Sequence, residues 1–84
     1  MHELLIERGA EKDMDRLQPD VFQRVLETIR ELKNAPRPAG SKKLAGSPGA
    51  WRVRVGDYRV IYDIDDKAKH VRILRVRHRR EVYR

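Results

Sequence analysis

The chain has 84 residues and a formal net charge of +7, from 20 Lys/Arg against 13 Asp/Glu. It contains no cysteine, which excludes disulfides and thiolate metal sites and is compatible with a reducing cytosol. The longest early apolar run, Leu4-Leu5-Ile6, is too short for a signal peptide or a membrane span, so we expect no membrane partner. This length predicts one small domain over residues 1–84, with a modest core that is only marginally stable alone.

The positive charge is confined to one half of the sequence. Residues 1–40 carry seven Lys/Arg and eight Asp/Glu, a net of −1, whereas residues 41–84 carry thirteen and five, a net of +8. A segregated positive field attracts polyanions and speeds their encounter. Charge alone leaves two interpretations open, which are nucleic-acid binding and a solvated surface.

The first half of the chain predicts one strand and two helices. Residues 3–7 are typical of a short strand that Gly9 ends, and residues 10–17 suit a short helix. Pro19 suits the first turn of a second helix, which residues 34–40 stop. This second helix carries an apolar stripe that we assign to the core, comprising Val21, Phe22, Val25, Leu26, Ile29 and Leu32.

The second half predicts a basic connector followed by three strands. The connector, residues 41–49, contains Lys42 and Lys43, which either meet a partner or are solvated. The strands fall near residues 51–55, 58–65 and 70–78, although the polar segment after Val76 is expected to leave the sheet. Trp51 is interpreted as the edge of the core, with base stacking as the alternative. The order β-α-α-β-β-β predicts an α+β fold, a small, mainly antiparallel sheet with a helical hairpin on one face.

Gly56-Asp57 is a plausible two-residue hairpin turn, and such a turn fixes the pairing of its strands. It places Arg54 opposite Arg59. Because side chains alternate between faces, Arg52, Arg54 and Arg59 share one face, opposite a core face formed by Val53, Val55, Tyr58, Val60, Tyr62 and Ile64. Like charges directly opposite each other are destabilising by up to ~1 kcal/mol, although Asp63 is available to offset part of this. The arrangement therefore indicates an anion-binding face, with solvated edge charges as the alternative.

The last strand contains two conflicting apolar patterns. Val71 and Ile73 predict one core face, whereas Leu74 and Val76 predict the other. A bulge near Ile73-Leu74 reconciles them. The sequence does not decide the directions of three further basic residues, Arg72, Arg75 and Arg77.

His78 and Tyr83 are the proton-transfer candidates of the basic segment. Arginine stays protonated, so it binds phosphate and stabilises developing charge but is no general base. Histidine titrates near neutrality, and adjacent cations favour a tyrosine phenolate. The combination suits RNA cleavage by the RNA's own 2′-hydroxyl, with an acid that protonates the leaving 5′-oxygen. The alternatives are a solvated His78 and a Tyr83 that packs the tail against the sheet. The histidines show no metal-ligand spacing.

Nearly the whole chain resembles the RelE/ParE superfamily of bacterial and archaeal toxins, on the RelE side. The resemblance lies in K-K-L-A-G, W-R-V-R-V-G-D-Y-R-V-I-Y-D-I and R-V-R-H-R-R-E-V-Y, with E-L-K-N-A-P-R-P resembling the end of the family's helical hairpin. It implies the toxin of a type II toxin–antitoxin system, a cytoplasmic endoribonuclease that enters the ribosomal A site and cuts mRNA there without a metal or cofactor. The implied protein partner is a cognate RelB-like antitoxin, which blocks the active site and supplies operator-DNA binding for the complex.

The resemblance also implies roles for individual residues. The family's phosphate-binding arginine falls on Arg59, its tyrosine base on Tyr83, and a histidine of several ribosome-dependent relatives on His78. The family's basic strand positions fall on Arg52 and Arg54, and its basic residue after the last strand falls on Arg79. Apart from the resemblance, Lys42, Lys43 and Arg77 are further candidates for RNA binding. Relatives often have lysine where this chain has Arg52 and Arg54, and many have glycine at Arg77. The C-terminal helix of some relatives is expected to be absent.

Two other functions remain open at this point. An inhibitor of DNA gyrase, like ParE, shares the fold and does not need the arginine and tyrosine constellation. A non-toxic member of the superfamily acts only in a repressor complex with its antitoxin.

Overall fold

A computed structural model describes residues 1–46 and 49–82 of the chain. The elements are β1 (Glu3–Ile6), α1 (Arg8–Asp15), α2 (Pro19–Leu32), β2 (Lys42–Lys43), β3 (Ala50–Val55), β4 (Tyr58–Asp65), β5 (His70–His78) and α3 (Arg79–Val82). The strands form one sheet in the order β1-β5-β4-β3-β2. β1 pairs with β5 in parallel, and the other neighbours are antiparallel. The predicted α+β class and mainly antiparallel sheet are therefore confirmed.

Several local predictions were wrong. Gly9 lies inside α1 and does not end the strand, and α1 ends at Asp15, short of the predicted end at residue 17. The connector contributes β2, which only two residues form and which therefore shows no alternation in the sequence. The segment after Val76 stays in the sheet, where His78 pairs with Tyr58. One helical turn, α3, then follows, which the strand assignment did not anticipate.

Helix α2 contributes more buried side chains than α1 to the core on one face of the sheet. Pro19 occupies its first turn, as predicted, and its apolar stripe is buried at Val25, Ile29 and Leu32. These side chains belong to one cluster with buried residues of the sheet, including Tyr62. Burying an aliphatic side chain contributes about 1.5–3 kcal/mol. No helix within the described parts of the chain is long and apolar enough to cross a membrane.

A bulge in β5 resolves the two apolar patterns of that strand. Ile61 pairs with Arg75 and the next residue, Tyr62, pairs with Ile73, which leaves Leu74 as the extra residue. The predicted bulge near Ile73-Leu74 is confirmed. Because the bulge shifts the alternation by one residue, β5 buries residues on both sides of it against the same core, namely Val71, Ile73 and Val76.

Helix α1 continues along the edge of β5 where β1 stops. The Asp13 carboxylate accepts hydrogen bonds from Arg75 Nε at 2.8 Å, from Arg75 Nη2 at 2.9 Å and from the Val76 N–H at 2.9 Å. Asp13 is only 11 % exposed, and this burial raises its pKa, but the hydrogen bonds and the Arg75 charge outweigh burial, so the net pKa is lowered. Gly9 leaves space for this contact, because a Cβ there would lie 3.2 Å from Arg75 Cδ. The carboxylate thus satisfies a sheet-edge amide directly after the bulge.

The loop between α2 and β2 is held against the same core. The Tyr62 hydroxyl donates to the Pro36 carbonyl at 2.7 Å. Arg37 lies over the Trp51 ring, 5.3 Å from its centroid, and pairs with Asp66 at 2.9 Å. Trp51 is half-buried and packs against the core, so its interpretation as a core edge is confirmed.

Asp13→Asn is expected to lower the free energy of unfolding at pH 7 by about 1–2 kcal/mol, because it weakens charge-assisted hydrogen bonds to a partly exposed arginine. The folded-state pKa of Asp13 lies below its unfolded value of about 3.9. Its contribution is therefore present above about pH 4 and lost as the pH falls through the lower folded pKa. Urea unfolding between pH 7 and pH 2.5 would show the difference between wild type and variant closing at the acidic end.

The matched control for this measurement is Asp15→Asn, because Asp15 lies on the same helix and is exposed. We expect it to unfold like wild type throughout the pH range. A difference between wild type and Asp13→Asn that persists undiminished at pH 2.5 would contradict the assigned role of the carboxylate.

Candidate nucleic-acid interface

The β3–β4 hairpin has the register that its two-residue turn predicts. Val55 pairs with Tyr58 across Gly56-Asp57, and Arg54 pairs with Arg59. Gly56 has a φ of +60°, which suits the first central position of a hairpin turn and is rarely adopted by other residues. The predicted core face is confirmed, since the valines of the hairpin and Tyr62 are buried with α2 while Tyr58 and Ile64 pack against this cluster. The opposite sheet face, here called the open face, carries the arginines.

One row of arginines crosses three strands of the open face. Arg54 on β3 lies opposite Arg59 on β4, which lies opposite Arg77 on β5. The bulge is what brings Arg77 into this row, because it restores the alternation that places Val76 in the core. Each directly opposed pair of like charges costs up to ~1 kcal/mol.

An open cavity of about 310 Å³ lies beside this row. Its lining includes Gly40 and four cationic side chains, Lys42, Arg52, Arg54 and Arg59. Small-molecule pockets span roughly 300–1,000 Å³, so this cavity matches a ligand of about nucleotide size. Among the described residues of the lining, four are cations and none is a carboxylate, which favours an anionic ligand.

Backbone carbonyls position two of these arginines. Arg54 Nε donates to the Gly56 carbonyl at 3.0 Å, and Arg59 Nη1 donates to the Tyr58 carbonyl at 3.1 Å. A guanidinium has five N–H donors, so each retains donors for a ligand. Within residues 1–46 and 49–80, whose side chains are described, neither has a carboxylate at ion-pair distance.

Asp63 lies too far along β4 to offset the charge of Arg59, although it is a diagonal neighbour of Arg52 on the same face. It lies opposite Ala50 and Arg72, four residues along β4 from Arg59, a separation of roughly 13 Å at strand spacing. This exceeds the screening length of about 8–10 Å at moderate salt. An anionic ligand between Arg54 and Arg59 would relieve the repulsion of this pair.

The two adjacent lysines of β2 lie on different faces. Lys42 pairs with Arg52 and lines the cavity. Lys43 pairs with Trp51, and its Nζ lies 6.0 Å from the centroid of the indole ring. The structure therefore brings Lys42 to the arginines and places Lys43 on the helix-covered side.

At the end of β5, the two candidate residues His78 and Arg79 lie in different surroundings. Arg79 donates its backbone N–H to the Asp57 carbonyl at 2.7 Å, and its Nε lies 4.0 Å from Asp57 Oδ1, so it lies at the hairpin turn. His78 makes an edge-to-face contact with Tyr58, with ring centroids 5.3 Å apart, and its Nδ1 accepts the Arg80 N–H at 3.3 Å. This position is on the face opposite Arg77, so the structure does not bring His78 to the arginine row.

Tyr83 lies outside the described residues, so its role stays a prediction. Two further contributors to the site were not anticipated from the sequence, Gly40 in the cavity lining and Ile61. Ile61 is half-buried on the open face, opposite Arg52 and Arg75. The predicted hairpin register already placed Ile61 opposite Arg52 on the arginine face, whereas no local sequence pattern identifies Gly40.

Comparison with known proteins assigns the chain to a family of toxins from type II toxin–antitoxin systems. The family described as the ParE toxin of type II toxin–antitoxin systems, parDE, matches residues 4–83. The chain is 36 % identical over 76 residues to Toxin RelG of Mycobacterium tuberculosis, covering 89 % of this chain and 87 % of that protein.

Two solved complexes contain chains similar in both sequence and fold. The RelBE2 toxin–antitoxin complex of Mycobacterium tuberculosis matches with a TM-score of 0.81 and 32 % identity, over 92 % of this chain and 96 % of that one. The archaeal RelE–RelB complex of Pyrococcus horikoshii OT3 matches with a TM-score of 0.82 and 31 % identity, over 93 % and 94 %.

Sulfate at millimolar concentration is expected to stabilise the wild-type protein, because a bound anion relieves the repulsion of the arginine row. Arg59→Gln should raise the free energy of unfolding without sulfate by up to about 1 kcal/mol and lose part of the response to sulfate. Thermal unfolding in sulfate and in chloride at equal ionic strength measures both effects. Lys67→Gln is the control, because Lys67 is an exposed cation outside the row, and it should keep the full response. An equal sulfate response in wild type and Arg59→Gln would contradict anion binding at the row.

Proposed function

The chain belongs to the RelE/ParE superfamily of toxins of type II toxin–antitoxin systems, and on this basis we propose that it is a ribosome-dependent mRNA endonuclease. The observation that carries the proposal is the row of Arg54, Arg59 and Arg77 beside a cavity lined by four cations. This surface has the charge and the size for the backbone of a single RNA strand. The similarity to chains of RelE complexes at 31–32 % identity supports the same branch of the superfamily.

The proposed reaction uses the RNA itself as the nucleophile. A 2′-hydroxyl loses its proton to a base and attacks the adjacent phosphorus, the bond from phosphorus to the 5′-oxygen breaks, and an acid protonates that oxygen. The products are a 2′,3′-cyclic phosphate and a free 5′-hydroxyl. Negative charge accumulates on the non-bridging phosphate oxygens in the transition state, where fixed guanidinium donors stabilise it without reorganisation.

We assign roles to the residues on this basis. Arg59 and Arg54 bind the scissile phosphate, Tyr83 is the proposed base, and Arg79 extends the cationic surface around the hairpin turn. Because His78 packs against Tyr58 on the other face, the proposal leaves it out of the reacting groups.

The proposal includes two kinds of partner. The similar chains come from complexes named for RelB and RelE, and we propose that a cognate RelB-like antitoxin binds this chain and covers its cationic surface. Operator DNA would be contacted through the antitoxin. Action on mRNA in the ribosomal A site would place the protein in the cytoplasm.

The ParE family match keeps inhibition of DNA gyrase as a second candidate. Gyrase-dependent DNA breaks with intact mRNA after expression would favour it over RNA cleavage. Harmless expression of the wild-type chain would favour a non-toxic member that acts only in a repressor complex.

Arg59→Ala is expected to slow mRNA cleavage by about 10²–10³-fold, because removing one fixed donor to a developing oxyanion has effects of this size. Primer extension on mRNA from a translating extract with purified protein measures the rate. Arg30→Gln is the control, because Arg30 is an exposed arginine on α2, and it should cut like wild type. Cleavage at the wild-type rate by Arg59→Ala would remove the arginine row from the mechanism.

Tyr83→Phe is expected to slow cleavage strongly while leaving binding to programmed ribosomes unchanged, because only the proton-accepting oxygen is lost. Single-turnover cleavage and ribosome binding, measured on the same preparation, separate these effects. If Tyr83→Phe cuts at the full rate, the base must be another group.

A further inference from the structure

A second cationic hollow lies at the other side of the β3–β4 turn. It has a volume of about 220 Å³, and its lining includes Arg24, Arg54, Gly56, Asp57 and Tyr58. Two guanidinium groups from different elements, α2 and β3, thus border one small space. Of these two arginines, Arg54 has a role in the proposed cleavage reaction and Arg24 has none.

Arg24 is an exposed residue of α2 that lies directly against the turn. A Cβ built on Gly56 would lie 3.2 Å from Arg24 Nη2 and 3.4 Å from Nη1, so the guanidinium group lies close to the turn backbone. Within the described ranges, Arg24 has no carboxylate at ion-pair distance and its guanidinium makes no hydrogen bond. Asp57, the acidic residue of the lining, is 4.0 Å from Arg79 Nε.

Arg54 lines both this hollow and the cavity of the open face. The cations therefore form a path from Lys42 through Arg54 to Arg24, around the end of the hairpin. A single small anion would occupy one of the two spaces. A polynucleotide has regularly spaced backbone phosphates, so one nucleic-acid strand can place a phosphate in each of the two spaces.

We propose that Arg24 binds a backbone phosphate of the same RNA strand that the open face holds, next to the scissile phosphate along the chain. This inference rests on the proposed function and adds a substrate-binding residue to it. Arg24 contributes affinity and does not touch the reacting atoms.

The test is binding of fluorescently labelled protein to programmed ribosomes whose A-site codon carries 2′-O-methyl groups, which remove the nucleophile. Arg24→Gln should weaken binding by about tenfold at low salt, the effect of one charge-assisted contact. The slope of log affinity against log salt should decrease in magnitude by about 0.7–0.9, as expected for one lost phosphate contact. Arg24→Lys, which keeps the charge, should keep most of the slope.

Arg30→Gln is the matched control, because it removes another exposed arginine from α2 away from the turn. It should leave affinity and slope unchanged. Wild-type affinity and slope in Arg24→Gln, together with weakened binding in Arg59→Gln, would overturn the role of Arg24 and leave the proposed function in place. Weakened binding of an antitoxin but not of ribosomes by Arg24→Gln would also overturn it. Failure of the wild-type protein to bind these ribosomes would reject the proposed function itself and this inference with it.

Discussion

The two-residue turn at Gly56-Asp57 fixes the register of β3 and β4, and with it the side chains that the hairpin exposes to a partner. Because side chains alternate strictly along paired strands, the turn decides which residues of both strands enter the core. A slip by one residue would exchange the two faces, burying Arg52, Arg54 and Arg59 and exposing the valines between them. Burial of those apolar side chains contributes several kcal/mol, whereas opposed arginines cost up to ~1 kcal/mol for each pair. The core therefore holds the arginines together against their mutual repulsion.

The same logic extends to β5 only because the strand contains a bulge. Without the extra residue at Leu74, the alternation would place either Ile73 or Val76 on the open face. The bulge keeps both in the core and turns Arg77 toward the row. Asp13 stabilises this irregularity from outside the sheet, since its carboxylate accepts the Val76 amide and two Arg75 donors. A helix that plays no direct part in the proposed chemistry thus supports the strand that completes the cationic surface.

The open face concentrates charge more selectively than the sequence indicates. Three basic residues in the second half of the chain have neighbours outside the cavity. Lys43 lies near the Trp51 ring, Arg75 forms an ion pair with Asp13, and Arg79 lies beside Asp57. Lys42, Arg52, Arg54 and Arg59 instead line one cavity, and no described residue of that lining is a carboxylate. Repulsion between such cations lowers the stability of the free protein, and a bound anionic partner would relieve that repulsion. This is consistent with a toxin whose proposed ligands are an RNA strand and an antitoxin that covers the same surface.

The sequence by itself determined the α+β class, the hairpin register, the division of β3 and β4 into a core face and an arginine face, and the need for a bulge near Leu74. These follow from short-range rules, because alternation and turn length act between neighbours in the chain. Only the tertiary structure decided that Lys42 and Lys43 separate, that Arg77 joins the row, that His78 leaves it for Tyr58, and that Asp13 and Arg24 reach the sheet from the helices. Each of these depends on the packing of segments distant in the sequence, where no local pattern specifies which side chains meet.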